Sequence, residues 1–174
     1  MGYYPCDMTT LTRTPYRGGR QCQTGSLTGL MDKYDSLKLE NQLCFPLYAC
    51  SKEITRRYKP FLSKLDLTYT QYITMMVLWE TRELSVKELG DKLFLDSGTL
   101  TPLLKKLESK GYLTRNRSVK DERNLIIKIT DKGMALREEA LAVPQEIRSC
   151  VSLTDDEAAA LFKLLHNFMN TIEQ

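Results

Sequence analysis

The sequence predicts a mainly α-helical fold carrying one small β-hairpin. Three observations predict it. Apolar residues recur at three- to four-residue spacing along most of the chain from residue 37 onward. Two S/T-x-x-E patterns, Ser85 to Glu88 and Thr154 to Glu157, mark helix starts. One pair of β-prone runs, residues 112–117 and 124–129, flanks a charged tip at residues 118–123. With 174 residues, 42% apolar and 27% charged, the chain has the composition of a soluble globular domain with enough material for a core.

Residues 1–30 are rich in Thr, Gly, Arg and Gln and lack any helical or strand period. They read as a flexible tail, or as an upstream extension ahead of Met31; residues 31–174 read as one domain. Over residues 37–65, Leu39, Leu43, Leu47, Ile54, Tyr58, Phe61 and Leu65 describe an amphipathic helix. Pro46 interrupts it early: it has no amide proton and crowds the carbonyl of residue 42, so the helix bends there or begins afresh near it. Cys44 then lies close to a helix amino end. Residues 70–79, apolar through Ile73, Met75, Met76, Val77, Leu78 and Trp79, read as a core helix.

The Ser85 box opens a short helix reaching Leu95, and Asp96-Ser97-Gly98 is expected to turn the chain into the next one, over about residues 97–110. That helix carries Leu100, Leu103, Leu104 and Leu107 on one face, with Thr99, Thr101, Lys105 and Lys106 on others; Pro102 lies early enough to be tolerated, and Gly111 supplies the carboxy cap. Two short helices joined by a tight turn, the second polar and basic on its open side, form a helix-turn-helix pattern. The charged hairpin that follows is a wing, so residues of about 70–130 make the DNA-binding part. Thr130 caps a further helix to about Ser149, bent at Pro144, and Thr154 opens the last one. Its stripe of Leu161, Leu165, Phe168 and Ile172 serves either a dimer interface with the long first helix or packing within one chain.

The formal charge is only +3, but residues 97–123 hold seven bases (Lys105, Lys106, Lys110, Arg115, Arg117, Lys120, Arg123) against three acids, a local net of +4 that leaves −1 for the rest. No apolar run approaches the roughly 20 residues needed to span a bilayer, and the amino terminus lacks the apolar core of a secretion signal, so a cytoplasmic location is expected. Five cysteines (Cys6, Cys22, Cys44, Cys50, Cys150), an odd number without a CxxC pair, fit neither a disulfide scaffold nor a zinc site. Free thiols follow, and a single buried cysteine is ordinarily a small apolar filler. His166 is the only histidine, which argues against a histidine-rich metal site and a Ser-His-Asp hydrolase. No metal or cofactor is expected.

The stretch DSGTLTPLLKKLESKGYLTR (residues 96–115), followed by KDER (120–123), resembles the MarR family of winged-helix regulators, with the match running over about residues 38–172. Within that family LENQLCFPLYA (39–49) and YKPFLSKLDLTYTQY (58–72) are similar to the OhrR-type organic-hydroperoxide sensors. The resemblance implies a winged helix-turn-helix domain with amino- and carboxy-terminal dimerisation helices. It further implies a cytoplasmic homodimeric repressor, not an enzyme, that binds an inverted repeat of double-stranded DNA and is released when an organic hydroperoxide oxidises Cys44. Tyr58 and Tyr69 match the tyrosines that hydrogen-bond the sulfur from the other subunit; Tyr48, one turn beyond Cys44, reads by periodicity as core. Cys150 matches the second cysteine of the two-cysteine members, which closes an intersubunit disulfide, and Cys50 is its rival.

The chemistry gives these residues a reason. Peroxide attack needs thiolate, of which a free cysteine with pKa ~8.5 offers only a few per cent at neutral pH. Phenol donors and a helix amino end favour the anion, and an apolar surround of Phe45, Leu47 and Phe61 suits an alkyl hydroperoxide. On the DNA side, Ser97, Thr99, Thr101, Pro102 and Lys106 are expected nearest the bases or adjacent phosphates, with Lys105, Arg115 and Arg117 on phosphates. Arg123 suits a narrow A·T-rich minor groove, oriented by Asp121. The alternatives are a MarR-type repressor gated by a small phenolic ligand and a thiol peroxidase, the latter needing neither recognition helix nor wing.

Overall fold

The computed structural model describes residues 33–117 and 125–172. The chain forms two compact units, Met1–Arg56 and Arg57–Gln174. The expected tail and the wing tip lie outside the described residues.

In the first unit two 3-10 turns, Asp35–Leu37 and Leu39–Asn41, precede helix α1 (Cys44–Leu62), whose last residues belong to the second unit. The helix expected over residues 37–65 is therefore shorter, and it begins afresh beside Pro46 with Cys44 at its amino end, one of the two outcomes expected of that proline. Pro46 is the third residue of α1, in the first turn, where amide groups have no intrahelical acceptor and proline costs nothing. Ahead of it Asn41 Nδ2 donates to the Asp35 carbonyl at 2.7 Å, bracing the two turns. Leu39, Leu43, Tyr48 and Ile54 were expected to face a core; in the single chain all four are exposed. Pro60 gives no N–H to the carbonyl of residue 56, and α1 ends two residues later in a 3-10 turn, Ser63–Leu65, closed by Asp66 in the left-handed region at φ 52°.

In the second unit α2 (Tyr69–Thr81) is opened by a capping box: the Gln71 amide donates to Thr68 Oγ1 at 3.3 Å, and the Thr68 amide donates to Gln71 Oε1 at 3.0 Å. A three-residue strand, β1 (Glu83–Ser85), follows, which the sequence reading did not anticipate. Then come α3 (Val86–Leu93), α4 (Ser97–Ser109), the wing strands β2 (Leu113–Arg117) and β3 (Leu125–Ile129), α5 (Asp131–Ala140), α6 (Val143–Ser149) and α7 (Asp155–Ile172). The sheet is antiparallel in the order β1-β3-β2, with Leu84 opposite Ile127 and Arg115 opposite Ile127 on the other side. The helix expected from residue 130 to 149 is two, α5 and α6, and Pro144 sits in the first turn of the second rather than bending a continuous one.

The turn between α3 and α4 also differs. It falls at Phe94, left-handed at φ 54°, while Ser97 and Gly98 are already helical. The reason is Asp96, whose carboxylate accepts the Thr99 amide at 2.8 Å and so acts as the amino cap of α4. Gly111, at φ 76°, follows the end of α4 as expected, since that conformation favours glycine.

Met75, Leu78, Leu89, Leu100, Leu104, Leu107, Leu113 and Ile127 are almost fully buried and come from α2, α3, α4, β2 and β3. At about 1.5–3 kcal/mol for each such side chain, their burial is the main force holding the helix-turn-helix to the wing. Trp79 Nε1 donates to the Gly133 carbonyl at 2.8 Å, tying α2 to the first turn of α5. Gly133 is packed so closely that a Cβ there would stand 2.1 Å from the Tyr112 carbonyl oxygen.

Candidate redox site and DNA-binding face

Cys44 is the first residue of α1, exposed, at the helix end where unpaired amides present partial positive charge. Tyr48, one turn on, is exposed with Lys52 Nζ 5.8 Å from its ring centre, and so is not the core residue its spacing predicted. Phe45 and Leu47 are half-buried. Cys50 lies on the same continuous helix, six residues after Cys44. A helix rises about 9 Å over six residues, whereas a disulfide needs its Cα atoms within about 7 Å, so the two cannot bond without unwinding α1.

In the second unit Tyr58 and Tyr69 form an edge-to-face pair with ring centres 4.8 Å apart, and Tyr72 stands 6.0 Å from Tyr58. Burial first, then the neighbouring Tyr69 and Tyr72 phenols, raises Tyr58 above the usual tyrosine range; burial and Tyr69 raise Tyr72. Both hydroxyls therefore stay protonated, able to donate, well past neutrality. Tyr72 was not among the residues expected at this site, although its spacing of three from Tyr69 along a helix signals a shared face. Phe61, like Tyr58 and Tyr69, is half-buried and packs against the core.

Cys150 caps the carboxy end of α6 and is half-buried. Its amide donates to the Ile147 carbonyl at 3.0 Å, and its own carbonyl accepts from Arg57 Nη1 at 2.6 Å, across 93 residues of sequence. Nothing in the sequence pointed to Arg57. Arg148 pairs with Asp155 across the connection that follows. On α7 the residues of the expected stripe whose side chains are described, Leu161, Leu165 and Phe168, are exposed, as is every residue from 155 to 171, Phe162, Leu164 and Met169 among them. His166 sits on this helix, with Nδ1 2.9 Å from the Phe162 carbonyl.

Helix α4 buries Leu100, Leu103, Leu104 and Leu107 and turns Ser97, Thr99, Thr101, Pro102, Lys105 and Lys106 to solvent. Two hydroxyls are already oriented: Thr99 donates to Asp96 Oδ2 at 3.0 Å and Thr101 to the Ser97 carbonyl at 2.7 Å, which leaves their oxygens facing outward as acceptors. Hydrogen bonds from Thr99 hold the Asp96 carboxyl below its usual range. Arg115, expected on a phosphate, clamps Glu108: Nε and Nη2 donate to Oε2 at 2.9 and 2.5 Å, and its amide to Oε1 at 3.1 Å. That fork fixes β2 against α4 and keeps Glu108 well ionised. Arg117 is exposed at the end of β2. Asp121 and Arg123 lie outside the described residues.

The helix-turn-helix and the two wing strands thus stand as the sequence led one to expect, with β1 added to their sheet. Residues 56–140 match the family model described as transcriptional regulator SarA/Rot. The chain is 46% identical over 143 residues to the organic hydroperoxide resistance transcriptional regulator of Bacillus subtilis, covering 82% of this chain and 97% of that one. The chain belongs to the MarR family of winged-helix transcriptional regulators. Among solved members, the AbfR regulator is 36% identical in its reduced DNA-bound form, with a TM-score of 0.65 over 82% of this chain and all of that one. In its disulfide form AbfR gives 34% and 0.56, over 82% and 97%. A mutant of Escherichia coli MarR complexed with operator DNA is 27% identical, with a TM-score of 0.69 over 79% and 99%. Family and fold are those of DNA-binding regulators, not of enzymes. Among the described residues no helix is long and apolar enough to cross a membrane.

Proposed function

We propose that this chain is a redox-sensing repressor that acts in the cytoplasm as a homodimer, holding an A·T-rich inverted repeat while Cys44 is reduced and releasing it when an organic hydroperoxide oxidises that residue. The observation that carries the reading is the placement of Cys44: exposed, at the first position of α1, in a chain nearly half identical to an organic hydroperoxide resistance regulator.

In the OhrR-type proteins that this chain resembles, the phenols at the positions of Tyr58 and Tyr69 serve the thiolate of the other subunit, so the sensing site is one that needs a dimer. The uncovered apolar side chains of α7 supply a surface for one. In the chemical step the thiolate attacks the peroxide oxygen, the O–O bond breaks, and the sulfur becomes a sulfenic acid as the peroxide leaves as alcohol after taking a proton. Tyr58 and Tyr69 donate to the sulfur; Cys150 of the partner subunit then displaces water to close a disulfide. Pulling the amino end of one subunit toward the other moves the two recognition helices out of half-site register. AbfR, captured both reduced on DNA and disulfide-bonded, is a relative in which both kinds of state exist.

On the DNA, Ser97, Thr99, Thr101, Pro102 and Lys106 face the major groove, Lys105 and Arg117 the phosphates, and Arg123 with Asp121 the minor groove. Fluorescence anisotropy with a labelled A·T-rich inverted repeat tests the reading. Tight binding by the reduced protein, loss after cumene hydroperoxide and recovery after dithiothreitol are expected; equal affinity before and after oxidation would overturn it.

A further inference from the structure

We propose that Arg57 is the positioning residue of the resolving thiol, holding the Cys150 turn where the oxidised Cys44 of the partner subunit can meet it. The inference rests on the assignment of Cys150 as resolving cysteine and adds a residue with no place in that assignment.

The connection from α6 to α7 carries short-range backbone bonds beside the ion pair of Arg148 with Asp155. The Cys150 amide bonds the Ile147 carbonyl, the Val151 amide the Arg148 carbonyl at 3.3 Å, and the Leu153 amide the Val151 carbonyl at 2.9 Å. These backbone bonds span two or three residues each and shape the turn locally. The Arg57 guanidinium is different in kind. It reaches from α1 to the carbonyl of Cys150 itself, at 2.6 Å, with both residues half-buried and in the same compact unit. A charged donor on a main-chain oxygen restrains the Cα of Cys150, and hence the cone its sulfur sweeps.

The resolving step is sensitive to that placement. After the hydroperoxide has taken two electrons from Cys44 and left as an alcohol, the Cys150 thiolate attacks Cys44 Sγ. The S–S bond forms as the S–O bond breaks, and hydroxide departs and takes a proton to become water. The attack is nearly in line, and the product requires Cα atoms within about 7 Å. A thiol on a turn tied to α1 by that bond meets the requirement more often than one on a turn without it. Arg57 accelerates closure of the disulfide and leaves the oxidation of Cys44 alone.

The test measures the two steps apart. Sulfenic acid formation is followed by dimedone trapping in a Cys150→Ser background, and the intersubunit crosslink on non-reducing gels, both with cumene hydroperoxide. Arg57→Met keeps the aliphatic stem without the donors, Arg57→Gln shortens it, and Arg57→Lys keeps a charged donor; whichever of the first two folds suffices. Either should form crosslink roughly tenfold more slowly with an unchanged trapping rate, and Arg57→Lys should restore most of the loss. Crosslinking at the parent rate or faster, or an equal slowing of both steps, overturns the proposal. A parent protein that forms no Cys44–Cys150 crosslink instead removes the resolving cysteine, a distinct result.

Discussion

The winged part of the second unit and helix α7 obey opposite rules of burial. From α2 through α5 each helix hides its leucines, each helix start is capped by a side chain of its own chain, and no described buried side-chain polar atom lacks a partner. Helix α7 is equally well capped, by Thr154 and Glu157, yet every side chain described from residue 155 to 171 is exposed, with six large apolar residues among them. One region is finished by a single chain and the other is not. The DNA-binding part is thus packed within one chain, while α7 offers an apolar surface that the proposed dimer would cover.

Breaking the unfinished region should cost most. Leu165→Glu with Phe168→Glu should give a monomer by sedimentation and weaken binding to an inverted repeat by about a hundredfold or more, since two half-sites are no longer engaged together. The melting of the winged part should remain; a dimer that survives would remove α7 from the interface. In the finished region Gly133→Ala forces a Cβ against the Tyr112 carbonyl and Ile129 Cγ1. It should destabilise the fold by about 1–3 kcal/mol in a denaturant melt, and an unchanged midpoint would mean that the packing there is looser than the structure shows.

The comparison sharpens within the wing. Arg117→Ala should lower the slope of log affinity against log salt by about one, as expected for a phosphate contact. Arg115→Ala should leave that slope alone and lower Tm, because Arg115 is committed to Glu108. A reversal of the two outcomes would return Arg115 to the DNA. The smallest effect is on pH. Glu88, Asp96, Glu108 and Glu157 are held below their usual values, the first, second and fourth by cap hydrogen bonds and Glu108 by Arg115. Their contribution is complete above the ordinary carboxylate range and fades as pH falls through the depressed values. Tyr58 and Tyr72, raised, act in the other direction, their contribution lasting up to the ordinary tyrosine range and fading above it. Stability by denaturant should therefore be flat between these limits; a midpoint that moves strongly near pH 7 would point to another group.

What the sequence disclosed follows the same division. Capping boxes at Ser85 and Thr154, the left-handed Gly111 and the two wing strands were legible, because each depends on residues within a few positions of one another. Strand β1 was not: three residues are too few for alternation to show, and only pairing with β3 makes them a strand. The turn at Phe94 was hidden because phenylalanine has no preference for the left-handed region, while Asp-Ser-Gly two residues later looks like a turn and serves as a cap. The Arg115–Glu108 fork, the Tyr72 contact and the hold of Arg57 on Cys150 are tertiary, and periodicity carries no trace of the partner. The box at Thr68 and Gln71 has the same spacing, with glutamine in place of glutamate, and was missed in the sequence.

Release of an operator-bearing duplex by cumene hydroperoxide, measured side by side for the parent protein and Cys44→Ser, tests the central claim most directly. The account predicts that the parent lets go at near-equimolar peroxide while Cys44→Ser stays bound; release of both at the same dose would contradict it.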